Sequence, residues 1–474
     1  MNVNRVLQFS IGPIAGAVLG LISVPMVAWY FSAEDIGRLS ILQVTINFIL
    51  ILCSLGLDQA YVREYYASND KLTLLKTCLL PGLVILIPLL VLTSFSPFSL
   101  SSLLFDVDSI YLSIILFFGI FSSFFARYIS LILRMGEQGV AYSLAQALPR
   151  LIYLVIIGCY IAVTFSANSE SLLLAYVCSH MIAMLVFAWF TRDQWIPIFV
   201  ASTDRKKLSQ MINYGLPLVA SGLAFWGLKA TDKFFLRAFS SFEELGIYAV
   251  ALSFSGVALV LQAVFSVVWA PTIYKWMAEG VEPGRIKKFV DLTILGVVVV
   301  WSAAGLLSFL VSYVLPSEYK AVESIFVAAM AYPLLYTASE ATGVGVGIQR
   351  KTFYTMLATF LALTANIIFN YFLIPEYGAA GAAIASALAF WVFFVVRTEV
   401  SALVWVSFPR LAMHSLIAIA LVASIFSAVP LEFFGKRLIW AGVMIVALIV
   451  YRECLFKVYN RISVDHPVRS PGLE

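Results

Sequence analysis

The chain is a succession of apolar runs, most of which are long enough to cross a lipid bilayer as a helix. About twenty consecutive apolar residues in helical form span the hydrocarbon core of a membrane. Of its 474 residues, 62% are hydrophobic and only 12% are charged, which is too little polar surface for a soluble protein of this size. The sequence therefore predicts an all-α integral membrane protein with about 14 transmembrane helices, near 6–31, 37–62, 76–95, 109–133, 141–165, 171–191, 213–237, 246–270, 288–314, 322–346, 353–374, 380–404, 411–430 and 437–452.

Basic residues are distributed unequally between the two ends of these predicted helices. With the N-terminus placed inside, 22 of the 30 Lys and Arg residues lie in inner segments and helix ends, five lie outside and three lie within the membrane. Lys and Arg concentrate on the cytoplasmic side of membrane proteins. We therefore expect both termini to be cytoplasmic.

The remaining composition excludes several classes of site. The five cysteines include no CxxC pair and the three histidines have no HExxH-like spacing, so neither a disulfide framework nor a metal site is predicted. No cofactor is expected. The net charge of +4 is too small to indicate a nucleic-acid partner.

Two turns of the chain resemble each other. Residues 31–41 read FSAEDIGRLSI and residues 239–250 read FSSFEELGIYAV, each with Phe-Ser, two acids and a glycine between two predicted helices. Acids and glycine also suit any helix start or turn, so coincidence is the alternative to duplication. The matched positions and the polar segment at 192–212 favour duplication. The predicted domains are a six-helix lobe at 1–191, a cytoplasmic linker at 192–212, a second six-helix lobe at 213–405, and two extra helices with a cytoplasmic tail at 406–474. Parallel repeats of this kind place a substrate site between the halves.

These features resemble a known family. The turn at 31–37, YGLPL at 214–218, TDKFFL at 231–236 and EELGIYAVA at 243–251 are similar to the O-antigen and polysaccharide flippases (Wzx-type), which share a superfamily with the MATE exporters and lipid II flippases. The resemblance covers roughly residues 1–405. It implies a V-shaped, two-lobed fold in the bacterial inner membrane. It also implies a substrate of undecaprenyl-pyrophosphate-linked oligosaccharide, with a glycan polymerase and a chain-length regulator as partner proteins.

Cations within the predicted spans are candidates for diphosphate binding. Lys229, Lys233 and Arg237 form one stripe at helical spacing, and Arg237 is close enough to the helix end to reach the interface. Arg150 lies about nine residues into the fifth predicted helix, next to Pro149. Charges inside a membrane are costly and usually face a cavity or a partner. We expect Arg150 and Lys229 to bind the diphosphate, with Lys233 as a secondary contact. The alternative for Arg150 is an interhelical ion pair. The alternative for Lys233 is that its side chain extends to the membrane interface.

Four further charged residues are candidates for gating or ion coupling. Asp232 adjoins Lys233 and lies three residues from Lys229, so it either pairs with a lysine or takes up a proton or cation. Asp58 and Arg63 lie near the inner end of the second predicted helix and suit a gate or a local ion pair. Glu340 precedes a Gly-x-Gly-x-Gly run that lacks the strand and lysine of a phosphate loop, so no nucleotide site is predicted.

Three other functions remain as alternatives. A glycan polymerase or ligase would be expected to carry a long outer loop with catalytic residues, and none is predicted here. A MATE-like exporter of cationic drugs should have an acidic or aromatic cavity rather than a cationic one. A structural scaffold would leave the intramembrane charges without a use. A flippase, not an enzyme, is the preferred interpretation.

Overall fold

The computed structural model describes residues 3–95, 100–163, 168–407, 409–429, 435–453 and 456. All regular secondary structure within those ranges is helical. The chain divides into two compact units: unit 1 comprises 1–256, 314–320 and 370–382, and unit 2 comprises 257–313, 321–369 and 383–474. These bounds do not follow the two predicted lobes, so the lobe division stays a prediction. The predicted tail beyond 456 lies outside the described residues.

Unit 1 is built from long helices and short connecting ones. The second and third helices are separated at Leu55 and Gly56, whose φ angles are 50° and 69°. The second predicted span is therefore broken into two helices at these residues. The seventh predicted span begins earlier than expected because Asp204 caps it, accepting a hydrogen bond from the Lys207 nitrogen. The helices are α1 (Val3–Tyr30), α2 (Ala33–Ser54), α3 (Leu57–Glu64), α4 (Lys71–Phe95), α5 (Leu100–Phe105), α6 (Ile110–Met135), α7 (Gly139–Val163), α8 (Ser169–Phe190), α9 (Arg192–Trp195), α10 (Arg205–Phe239) and α11 (Phe242–Phe254).

The two repeated turns start helices in the same way. Ser32 caps α2 by accepting from the nitrogen of Asp35, and Ser241 caps α11 by accepting from the nitrogen of Glu244. The two helices pack on each other along the turns. The second acid of each turn has a different hydrogen-bond donor. The Asp35 carboxylate accepts from the Ser32 nitrogen, whereas the Glu244 carboxylate accepts from the nitrogen of Ala379 at 2.7 Å.

Each repeated turn is also held by a loop from the other half of the chain. The Trp29 indole donates to the carbonyl of Val314 at 2.8 Å, and the Tyr319 hydroxyl donates to the carbonyl of Phe31 at 3.1 Å. In the second copy Arg237 donates to the carbonyl of Leu104 at 3.1 Å and forms an ion pair with Asp106. The contacts are thus reciprocal within unit 1, which supports duplication over coincidence.

Unit 2 holds the remaining helices around a core that includes Trp301 and Trp440, whose ring centroids are 6.3 Å apart. A long helix is kinked at Gly378 (φ 49°), and its central residues 370–382 belong to unit 1. The helices are α12 (Gly256–Ala278), α13 (Pro283–Leu306), α14 (Val311–Val314), α15 (Val322–Ala329), α16 (Ala331–Thr342), α17 (Val344–Ile348), α18 (Phe353–Val404), α19 (Leu411–Ala428) and α20 (Lys436–Val450).

The prediction of an all-α membrane protein is confirmed. Within the described ranges, 11 helices are long and apolar enough to cross a membrane. One of them, α18, covers two predicted spans on either side of its kink. The first and last predicted spans correspond to a shorter apolar stretch, Ile14–Tyr30, and to the 15-residue α20.

Candidate functional site

Arg150 lies near the middle of α7, on the side that packs against α1. Its guanidinium donates to the backbone carbonyl of Gly16, and a Cβ atom added at Gly16 would lie 2.9 Å from Arg150 Nη1. A larger residue at Gly16 would therefore have to displace the end of the Arg150 side chain. Arg150 remains exposed, and the described contacts of its guanidinium do not include an ion pair. Its charge is available to an anion.

Lys229 and Lys233 lie on α10 and differ in exposure. Lys229 is exposed, with its ammonium 5.6 Å from the centroid of the Phe225 ring, and Lys233 is half-buried. Lys229 lies ten residues before the end of α10 at Phe239, about 15 Å along the axis, which is too deep for the interface. The structure thus keeps two of the expected cations, Lys229 and Arg150, exposed within membrane-spanning helices.

Asp232 lies on the same helix and is 1% exposed. Its carboxylate accepts from the Tyr248 hydroxyl at 2.6 Å and from the Asn370 side-chain amide at 2.7 Å. Tyr248 and Asn370 are themselves buried. Two donors satisfy a buried carboxylate far better than an apolar environment would. The sequence did not identify either donor as a partner: Asn370 is 138 residues away along the chain.

Asp58 pairs with Arg127 rather than with Arg63. The carboxylate of Asp58 is buried and lies 2.5 Å from Arg127 Nη2, with a further hydrogen bond from Gln59 at 3.0 Å. Arg63 lies instead over the Tyr214 ring, 4.3 Å from its centroid, and beside Glu64. The local pair expected between Asp58 and Arg63 is therefore replaced by one between α3 and α6.

Glu340 belongs to unit 2. Its carboxylate accepts from the Ser266 hydroxyl, and its backbone carbonyl accepts from the Trp269 indole at 3.0 Å. Arg397 borders the same space; in the sequence it resembles the basic residues found at helix ends, which give no sign of this cavity. Among the described residues, no group of three or more His, Cys, Asp and Glu side chains could hold a metal ion.

The candidate residues of unit 1 thus form three groups: exposed cations at Arg150 and Lys229, a buried carboxylate at Asp232, and the Asp58–Arg127 pair. α7 packs against α1 and α8, whereas α10 packs against α2 and α3. Exposed cations in membrane spans suit an anionic ligand.

Comparison with known proteins gives one family and a set of similar folds. A family model described as polysaccharide biosynthesis protein matches residues 4–277, more than half of the chain. A comparison with curated proteins finds no match to this sequence.

Solved structures with the same fold are membrane transporters. The lipid II flippase MurJ in an inward closed conformation has a TM-score of 0.69 at 14% identity, covering 95% of this chain and 100% of its own. An inward-facing multidrug resistance MATE family transporter of the MOP superfamily has a TM-score of 0.57 at 17% identity, covering 84% and 97%. A MOP superfamily transporter from Pyrococcus furiosus, described as having a binding pocket of reverse polarity, has a TM-score of 0.51 at 18% identity, covering 84% and 96%. At these identities the likeness concerns the fold.

Proposed function

The chain belongs to the polysaccharide biosynthesis protein family, and from that premise we propose that it is a flippase for undecaprenyl-pyrophosphate-linked oligosaccharide, such as an O-antigen repeat unit. It moves the lipid-linked glycan from the cytoplasmic to the periplasmic leaflet of the bacterial inner membrane by alternating access. One protein of similar fold is a lipid II flippase, which agrees with this class of transport. Both termini lie in the cytoplasm in this proposal, with the polymerase and chain-length regulator acting after transport.

The observation that carries the proposal is the exposure of Arg150 and Lys229 within membrane-spanning helices. A cation in this position is unfavourable unless an anion, a polar group or water reaches it. Arg150 can form two parallel hydrogen bonds with a phosphate, and Lys229 adds a point charge that tolerates movement of the ligand. Lys233 contributes to the field at the same helix face. Sugars occupy the aqueous space while the polyprenyl chain stays in lipid.

Energy coupling and gating fall to the carboxylates of unit 1. Asp232 is the proposed proton- or cation-coupling group, because it is a buried carboxylate one residue from Lys233. Tyr248 and Asn370 hold it in place through their hydrogen bonds. Asp58, now paired with Arg127, and Arg63 are the proposed gating charges.

Complementation of a deletion strain tests this function. Wild type, Arg150→Ala and Lys229→Ala are expressed at equal membrane levels, and surface glycan is assayed with lipid-linked precursor. Both variants are expected to lose surface glycan while single repeat units accumulate on the cytoplasmic side. Lys275→Ala is the matched control, since this lysine has a 74% exposed side chain and lies near the end of α12.

Two results would contradict the proposal. Wild-type export from both variants would remove the cations from the transport route. Precursor that reaches the periplasm but stays unpolymerised would indicate an enzyme acting after the flip.

A further inference from the structure

Unit 2 contains a polar cavity that the proposed diphosphate site does not use. Its volume is about 110 Å³. It lies between α12, the α16–α17 segment and both halves of α18. The polar lining groups include the carboxylate of Glu340, the guanidinium of Arg397, the indole of Trp269 and hydroxyls such as those of Ser266, Thr352 and Thr355.

The two charges of this cavity have opposite signs. Ser266 donates to the Glu340 carboxylate, and Arg397 Nη1 donates to the Ser339 hydroxyl at 3.3 Å. The Nε–H of Arg397 is buried and has no acceptor among the described residues, and an unsatisfied donor of this kind costs about 1–3 kcal/mol. The carboxylate repels a free anion, and the guanidinium repels a free cation. A neutral ligand rich in hydrogen-bonding groups satisfies both.

Glycines determine the shape of the cavity wall. A Cβ atom at Gly343 would lie 2.6 Å from Arg397 Cγ, and one at Gly347 would lie 2.6 Å from the Tyr274 hydroxyl. The Gly-x-Gly-x-Gly run therefore allows close packing and is not a phosphate loop. Trp269 stacks on Phe289, with ring centroids 4.5 Å apart, and this holds the indole against the cavity.

We propose that this cavity binds one neutral sugar residue of the transported glycan; the inference rests on the proposed function. A sugar hydroxyl both donates and accepts, so neighbouring hydroxyls can donate to Glu340 and accept from the part of the Arg397 guanidinium that lines the cavity. A single water needs about 10–15 Å³ of such volume. The cavity of about 110 Å³ therefore has room for a ring-sized group. Glu340 is then a sugar ligand rather than the coupling group that its position in the sequence suggested.

Binding of free sugars to the full-length protein in lipid nanodiscs tests the assignment. Saturation-transfer NMR is run with a panel of neutral hexoses, 6-deoxyhexoses and N-acetylated hexosamines at millimolar concentration. At least one sugar should bind wild type, and Glu340→Gln should weaken it by roughly tenfold through the loss of a charged acceptor. Thr355→Val should weaken it by a smaller factor. Thr364→Val is the matched control, because Thr364 is on the same helix, exposed and outside the cavity.

Three outcomes decide the question separately from the flippase proposal. If no sugar in the panel binds wild type, or if binding survives Glu340→Gln and Thr355→Val unchanged, the cavity is not a sugar site even where export is normal. Sodium chloride that competes with the sugar would also overturn it in favour of a cation site. Arg150→Ala should still bind the sugar while it loses export. If wild type binds the sugar but exports no glycan, the flippase proposal is contradicted and the sugar site is not.

Discussion

Gly37 and Gly246 each lie against the turn that contains the other. A Cβ atom added to Gly37 would lie 3.2 Å from the backbone nitrogen of Gly246 and would collide with the carbonyl oxygen of Phe242. The relation is reciprocal, since a Cβ atom at Gly246 would collide with the carbonyl of Ala33. Two copies of one sequence motif thus meet backbone to backbone. Such an approach admits only glycine on both sides.

We predict that Gly37→Ala and Gly246→Ala each lower the melting temperature of the detergent-purified protein. The added methyl group has no space without backbone movement, and overpacking of this kind costs about 1–3 kcal/mol. Size-exclusion detection after heating measures the shift. Gly296→Ala is the control, since an added Cβ atom there meets nothing within 4 Å. Equal melting temperatures for all three variants would show that the close packing does not exist.

The ion pair of Arg237 with Asp106 should have a small effect when broken. The two side chains are 21% and 60% exposed, and such pairs contribute about 0–1 kcal/mol. We expect Arg237→Glu to lower the melting temperature slightly. Combining it with Asp106→Asn, which removes the repulsion between two acids and suits the positive φ of 55° at this position, should restore part of the loss. Lys206→Glu, a change at an exposed lysine on the same helix, serves as the control. A double variant that is worse than the single one would argue against the contact.

The fold was predictable because a bilayer leaves few choices. Every backbone polar group in the hydrocarbon region must be paired internally, so long apolar runs can only be helices or closed barrels. The kink at Gly378 also falls between two predicted spans, where EYGAAG places glycine. The start of α10 was misplaced because an Asp204 cap extends a helix through polar residues such as Arg205 and Lys206, which hydropathy does not register.

The partners of the charged residues could not be predicted in the same way. Periodicity along one helix gives the face on which a side chain lies, but not which other helix packs there. Asp58 therefore suggested Arg63, five residues on, whereas its partner Arg127 is 69 residues away. Arg150 was identified because a charge within an apolar run is visible in the sequence alone.

The Asp58–Arg127 pair gives a prediction about single and double changes. Removing one partner of a largely buried pair leaves the other charge uncompensated, whereas removing both can be nearly neutral. Asp58→Asn should lower the melting temperature only slightly, because the new side chain is neutral. Arg127→Gln should lower it more, because the Asp58 carboxylate remains charged in a side chain that is only 3% exposed. The double variant should recover part of that loss. Arg63→Gln, with a 58% exposed side chain, should change little. Additive effects of the two single changes would mean that the residues do not interact.

Asp232 gives the sharpest functional prediction, because its geometry separates charge from packing. Asp232→Asn keeps the size of the side chain but removes the charge that receives hydrogen bonds from Tyr248 and Asn370. We expect export to fall by at least tenfold at normal membrane abundance, as a coupling group requires a titratable or cation-binding carboxylate. Tyr248→Phe removes one donor while leaving the charge, so it should reduce export only partly.

The same pair of variants distinguishes coupling from folding. In inverted membrane vesicles, transport by Asp232→Asn should no longer respond to an imposed proton or sodium gradient. Transport by Tyr248→Phe should respond more weakly than in wild type. Equal losses of abundance in both variants would assign the cluster to stability alone, because both residues are about 1% exposed and contribute to the same packed region. A gradient response that survives Asp232→Asn at wild-type strength would move the coupling group elsewhere in the chain.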